Sequence, residues 1–96
     1  MAVIFYIPGA LREFTGGQSR VEIEISPATV NEALADLWTL YPGIRDRVAD
    51  EQGQVRRHIN IFVGNENVRD TGELATAVRD GAEISILPAV SGGRES

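Results

Sequence analysis

The chain contains no cysteine and no lysine. Without cysteine there is no disulfide, no thiolate nucleophile and no thiolate metal site. A single histidine, His58, leaves too little imidazole for a zinc centre, and no catalytic triad or protein metal site is expected. The nine basic residues are all arginines, at 12, 20, 45, 47, 56, 57, 69, 79 and 94. Arginine-favouring codon usage is enough to produce such a set. Its consequence is chemical all the same. No side-chain amine or thiol is present to attack an activated acyl group, and tethered nucleophiles act at very high effective concentration.

Positive charge is scarce as well. The formal net charge of -5 disfavours a nucleic-acid partner, whose phosphates demand basic surface. No apolar run approaches the roughly 18 residues of a membrane span. The opening Met1-Ala2-Val3-Ile4-Phe5-Tyr6 lacks the basic stretch of a signal peptide. A cytoplasmic protein with no membrane partner is expected. Ninety-six residues, 43% of them hydrophobic, suit one globular domain with one modest core.

Val3 to Ile7 reads as a β-branched and aromatic first strand, broken by Pro8-Gly9. The stretch to Ser19 reads as a long connection, in which Gly16-Gly17 permits an unusual turn rather than a phosphate loop. Arg20 to Ile25 alternates charged and β-branched residues, the pattern of a strand with one wet face. A hairpin is expected. Thr29 and Glu32 fit the N-cap and N3 positions of a capping box. Val30, Ala33, Leu34, Leu37, Leu40 and Tyr41 then repeat at helical spacing, with Trp38 beside the stripe as core packing. Pro42-Gly43 stops this helix, and Ile44 to Ala49 reads as a second short one. His58 to Val63 reads as a third strand, Val68 as the start of a short partner strand, and Leu74-Ala75 and Val78 as a helical turn. Ala82 to Leu87 reads as the last strand. Strand, strand, helix, strand, short strand, strand is the order of a β-grasp, an α+β class with one main helix packed across a mixed sheet. Residues 1–90 form that domain and 91–96 a flexible tail.

The tail carries the functional signal. Pro88 has no N–H to give to a ladder and should end the last strand. Ala89, Val90, Ser91, Gly92 and Gly93 could extend about 16 Å when stretched. Two glycines can enter a channel too narrow for other residues, which suits a protein whose own C-terminal end is the substrate. Gly93 is followed by Arg94-Glu95-Ser96. Glycine-rich chain ends are ordinary, so Gly-Gly alone is a weak signal.

Several pieces stand in order along the chain: Phe14-Thr15-Gly16-Gly17-Gln18, His58 to Val63, Asn67-Val68-Arg69, Leu74 to Ala77, and Ile84 to Gly93. With these the sequence resembles the ThiS/MoaD-like sulfur carriers related to ubiquitin, closest to the actinobacterial carriers of cysteine biosynthesis. The resemblance implies a carrier rather than an enzyme, with no cofactor of its own. It implies that Arg94-Glu95-Ser96 is removed at the bond between Gly93 and Arg94. An E1-like partner would then use ATP to adenylate the Gly93 carboxylate, and a sulfur donor would convert it to a thiocarboxylate. That anion carries charge on soft sulfur, as a thiolate does. It would attack an aminoacrylate held by a cysteine-synthase-like PLP enzyme, and a zinc-dependent JAMM-type protease would release cysteine. Pro88, Ala89, Val90, Ser91 and Gly92 would be read as the tail enters each partner. The resemblance leaves open a modifier joined to other proteins through Gly93, and a carrier for molybdopterin, thiamine or a secondary metabolite. Arg56 and Arg57, beside His58, form a basic cluster that could meet a partner or simply face water. Phe62 could lie on a partner-binding sheet face or pack against the helix.

Overall fold

The computed structural model describes residues 2–24 and 29–88. Five strands form one mixed sheet in the order β2-β1-β5-β3-β4. They are β1 (Ala2–Tyr6), β2 (Arg20–Glu24), β3 (Ile59–Val63), β4 (Glu66–Asn67) and β5 (Glu83–Pro88). β1 pairs antiparallel with β2 and parallel with β5, while β3 pairs antiparallel with both β5 and β4. Two helices, α1 (Val30–Leu40) and α2 (Pro42–Val48), follow the first hairpin. This is the expected β-grasp.

Strand alternation sets the faces. Val3, Phe5, Val21, Ile23, Ile59, Ile61, Ile84 and Ile86 point inward and are buried. Val30, Ala33, Leu34 and Leu37 of α1 close over them, joined by Ile44 and Val48 of α2. The Thr29 side chain accepts the Glu32 N–H at 3.3 Å, the expected cap. Leu40 departs from expectation. It lies at the edge of the apolar stripe where α1 ends, and it is 55% exposed. Trp38 packs half-buried against the core.

Three further differences are local. The connection after β1 is not irregular but a 3-10 helix, Gly9–Thr15, with Leu11 and Thr15 buried. Thr15 is held by donating to the carbonyls of Arg12 and Gln18, so its hydroxyl is satisfied inside. Gly16 and Gly17 leave it with φ of 66° and 88°, the unusual turn their sequence predicts. The short strand partnering β3 is Glu66–Asn67. Val68 instead starts a 3-10 turn and is buried, because Asn67 caps that turn by accepting the Arg69 N–H. Val78 is buried outside any helix, beside the Thr29–Ala77 bridge. No helix among the described residues is long and apolar enough to cross a membrane.

Leu37 is fully buried, so Leu37→Ala is expected to lower unfolding free energy by roughly 2–5 kcal/mol. Leu40→Ala should change it by no more than about 0.5 kcal/mol. Urea denaturation of the two variants checks the orientation of α1. Equal losses would show that its faces are wrongly assigned.

Candidate functional site

The sheet topology decides where the tail begins. β5 lies between β1 and β3, and the pair Ile59–Pro88 closes its last rung. Because β1 runs parallel to β5, the chain after β1 turns at this same end of the sheet. Pro88 therefore lies between the two neighbouring strands, near the Gly9–Thr15 turn, the end of α2 and the start of β3. Pro88 is the last described residue of β5 and is paired with Ile59. Ala89, Val90, Ser91, Gly92, Gly93 and Arg94 lie outside the described residues.

A cleft of about 320 Å³ opens at this root, lined by Leu11, Phe14, Ile59 and Pro88 with Glu13, Arg47 and His58. The Arg47 guanidinium lies over the Phe14 ring, 5.1 Å from its centre. Phe14 reaches this position past Gly43, where a Cβ would stand 3.2 Å from its ring. These residues come from four separate stretches of chain. No local pattern in the sequence could have gathered them.

The second feature is the sheet face turned away from α1. One row crosses all five strands: Arg20, Tyr6, Ser85, Phe62 and Asn67. Phe62 is thus on the outer face, half-buried, and does not pack against α1. Tyr6 donates to Glu83 at 3.3 Å, and Asn67 to Asn60 at 3.4 Å. The neighbouring row holds Leu87 opposite Asn60, and Leu87 is 45% exposed. Ile4, Tyr6, Phe62 and Leu87 therefore give this face an apolar strip reaching the tail root. Leu87 was legible in the sequence: it alternates with the buried Ile84 and Ile86.

The basic cluster resolves unequally. Arg56 is committed to structure, its Nε donating to the Asp46 carbonyl at 2.9 Å while its N–H bonds to the Val48 carbonyl. Arg69 donates to the carbonyls of Arg56 at 3.1 Å and Ile59 at 2.8 Å, tying down the entry to β3. Arg57 and His58 are exposed beside the cleft end of β3.

A family model described as the ThiS family matches residues 5–93, from β1 to the second tail glycine. The chain is 44% identical over 95 residues to the sulfur carrier protein CysO of Mycobacterium tuberculosis, covering 97% of this chain and all of the relative. It is 34% identical over 82 residues to the small archaeal modifier protein 3 of Haloferax volcanii, covering 85% of this chain and 88% of that one. Its fold is similar to a chain in the crystal structure of the Amycolatopsis orientalis BexX/CysO complex. There the TM-score is 0.83 and the identity 41%, across 95% of this chain and 99% of that one. On sequence and fold alike, with Gly93 inside the matched span, the chain belongs to the ThiS family.

Proposed function

We propose that this protein is a cytoplasmic sulfur carrier for cysteine biosynthesis, with Gly93 as its reactive end. The observation carrying this is the 44% identity to a mycobacterial sulfur carrier along nearly the whole chain. Each step follows ordinary acyl chemistry. Hydrolysis after Gly93 frees its carboxylate from Arg94-Glu95-Ser96. A carboxylate oxygen attacks the α-phosphorus of ATP in an E1-like partner, and pyrophosphate leaves. Sulfide sulfur from a donor attacks the acyl carbon, AMP leaves, and a thiocarboxylate remains. Its sulfur bonds to an electrophilic carbon held by a PLP-dependent partner, and the acyl group shifts from sulfur to nitrogen. Water, delivered by a zinc protease, then cleaves the Gly93 amide and releases cysteine. A metal-bound hydroxide can attack that amide without a protein nucleophile. The carrier supplies the end group and the docking surfaces; catalysis belongs to its partners.

The tail glycines support the reading, because only they pass a narrow cleft. The outer sheet strip supports it too, since its apolar side chains reach the point where a partner must grip. A second reading has its own support. The 34% identity to an archaeal modifier favours attachment of Gly93 to amines of other proteins. Mass spectrometry of the chain from its native cell separates them. A species ending at Gly93 with one oxygen replaced by sulfur supports the carrier, and branched peptides support the modifier. Persistence of only the full-length mass in cells running the pathway would sink both.

Three outcomes are expected in solution. A chain ending at Gly93 should support ATP–pyrophosphate exchange with its activating enzyme, and the chain carrying Arg94-Glu95-Ser96 should not. Gly93→Ala should impair exchange without altering the melting temperature. Leu87→Ser should leave stability within about 0.5 kcal/mol while raising the KM of the carrier for that enzyme. An unchanged KM would remove the outer face from the interface.

A further inference from the structure

We propose that the cleft at the tail root receives an aspartate or glutamate side chain of the protein that grips the tail, with Arg47 as its partner. This rests on the carrier reading above. Arg47 is a cation without a counter-ion: among the described residues no carboxylate lies within ion-pair distance of it. Its guanidinium is held over the Phe14 ring instead. Glu13 lines the same cleft and makes no ion pair with it.

The other arginines near this end are occupied. Arg12 donates to the Ile7 carbonyl, Arg45 pairs with Asp46 at 3.3 Å, and Arg56 and Arg69 bind carbonyls. Arg57 is exposed but does not line the cleft. Pro88, the last described residue, forms part of the cleft wall. A protein that draws the stretched tail into its own channel must seat the channel rim against that wall. The chain as a whole carries a net charge of -5, so a cation at this wall gives an acidic rim a local point of attraction. Here it meets a fixed planar fork suited to a carboxylate. Arg47 and Pro88 are both exposed, so the guanidinium is open to an incoming carboxylate, and a planar fork can bind both oxygens of such a group. The methylene stem of the acid would rest on the Phe14 edge.

The test is ATP–pyrophosphate exchange with chains ending at Gly93. Arg47→Glu should raise the carrier KM about tenfold or more, leave kcat within about twofold, and flatten the salt dependence of kcat/KM. Arg47→Gln keeps the stem, serves if the reversal fails to fold, and should raise KM about fivefold. Arg79→Glu is the control. Arg79 precedes Gly81, whose N–H bonds to the Ala2 carbonyl at the opposite end of the sheet. A KM within about twofold of the unaltered chain, or an equal loss in Arg79→Glu, overturns the proposal. So does a shift in the titration of the free Gly93 carboxyl on Arg47→Gln, since the cleft would then hold the chain's own end. No exchange by the unaltered chain ending at Gly93 would instead sink the carrier reading, and this proposal with it.

Discussion

The parallel pairing of β1 with β5 is the constraint on which the rest depends. It joins Ile4, Phe5 and Tyr6 to Glu83, Ile84 and Ser85, nearly the full length of the chain apart. Parallel strands cannot be joined by a tight turn, so everything between them must form the crossover. That crossover is the second hairpin strand, both helices and β3. α1 is thereby laid over one sheet face, and Phe5, Ile84, Leu37 and Val30 share one buried core. The pairing also places the C-terminal strand in the interior of the sheet. The strand that leads into the tail is thus paired on both sides.

The two ends of the sheet are used differently. At the Gly81 end, Ala2 donates to Asp80 and accepts from Gly81, which fastens the start of β1. At the Pro88 end the backbone spreads into the Gly9–Thr15 turn and the end of α2, leaving a cleft. Arginines stitch this region by donating to carbonyls: Arg12 to Ile7, Arg56 to Asp46, Arg69 to Ile59. A guanidinium presents several donors in a fixed plane, so one side chain can hold two carbonyls, as Arg69 does. Arg56, which the sequence left between a partner contact and a solvated face, clips this backbone.

Most of the fold was legible because its signals are local. Alternation in Arg20–Glu24 gives a strand with one wet face, and Thr29 with Glu32 marks the start of α1. The 3-10 helix Gly9–Thr15 was not legible. A run of seven residues is too short to show a period, and its order comes from burying Leu11 and Thr15. Val68 was misplaced for a related reason. A β-branched residue after a turn suggests a strand, but the Asn67 cap converts the backbone to a 3-10 turn. The tail glycines were readable as a motif. The cleft at Pro88 was not, because Phe14, Arg47 and His58 meet only through the β1–β5 crossover.

The same geometry gives the missing lysines a physical meaning. Pro88 pairs with Ile59, so Arg57 and His58 lie beside the tail root, and Arg47 lines the cleft there. Five extended residues span about 16 Å, and a volume of that radius about Pro88 takes in these side chains. For a chain activated at Gly93, as proposed, every amine in that volume would compete with the sulfur donor for the acyl carbon. It would do so with the advantage of tethering. Arginine supplies the same positive charge and better carbonyl clips, yet its guanidinium stays protonated and has no free lone pair to attack. Whatever codon usage first set the composition, Arg47 and Arg57 bring positive charge to the tail root without an amine that could capture the activated end.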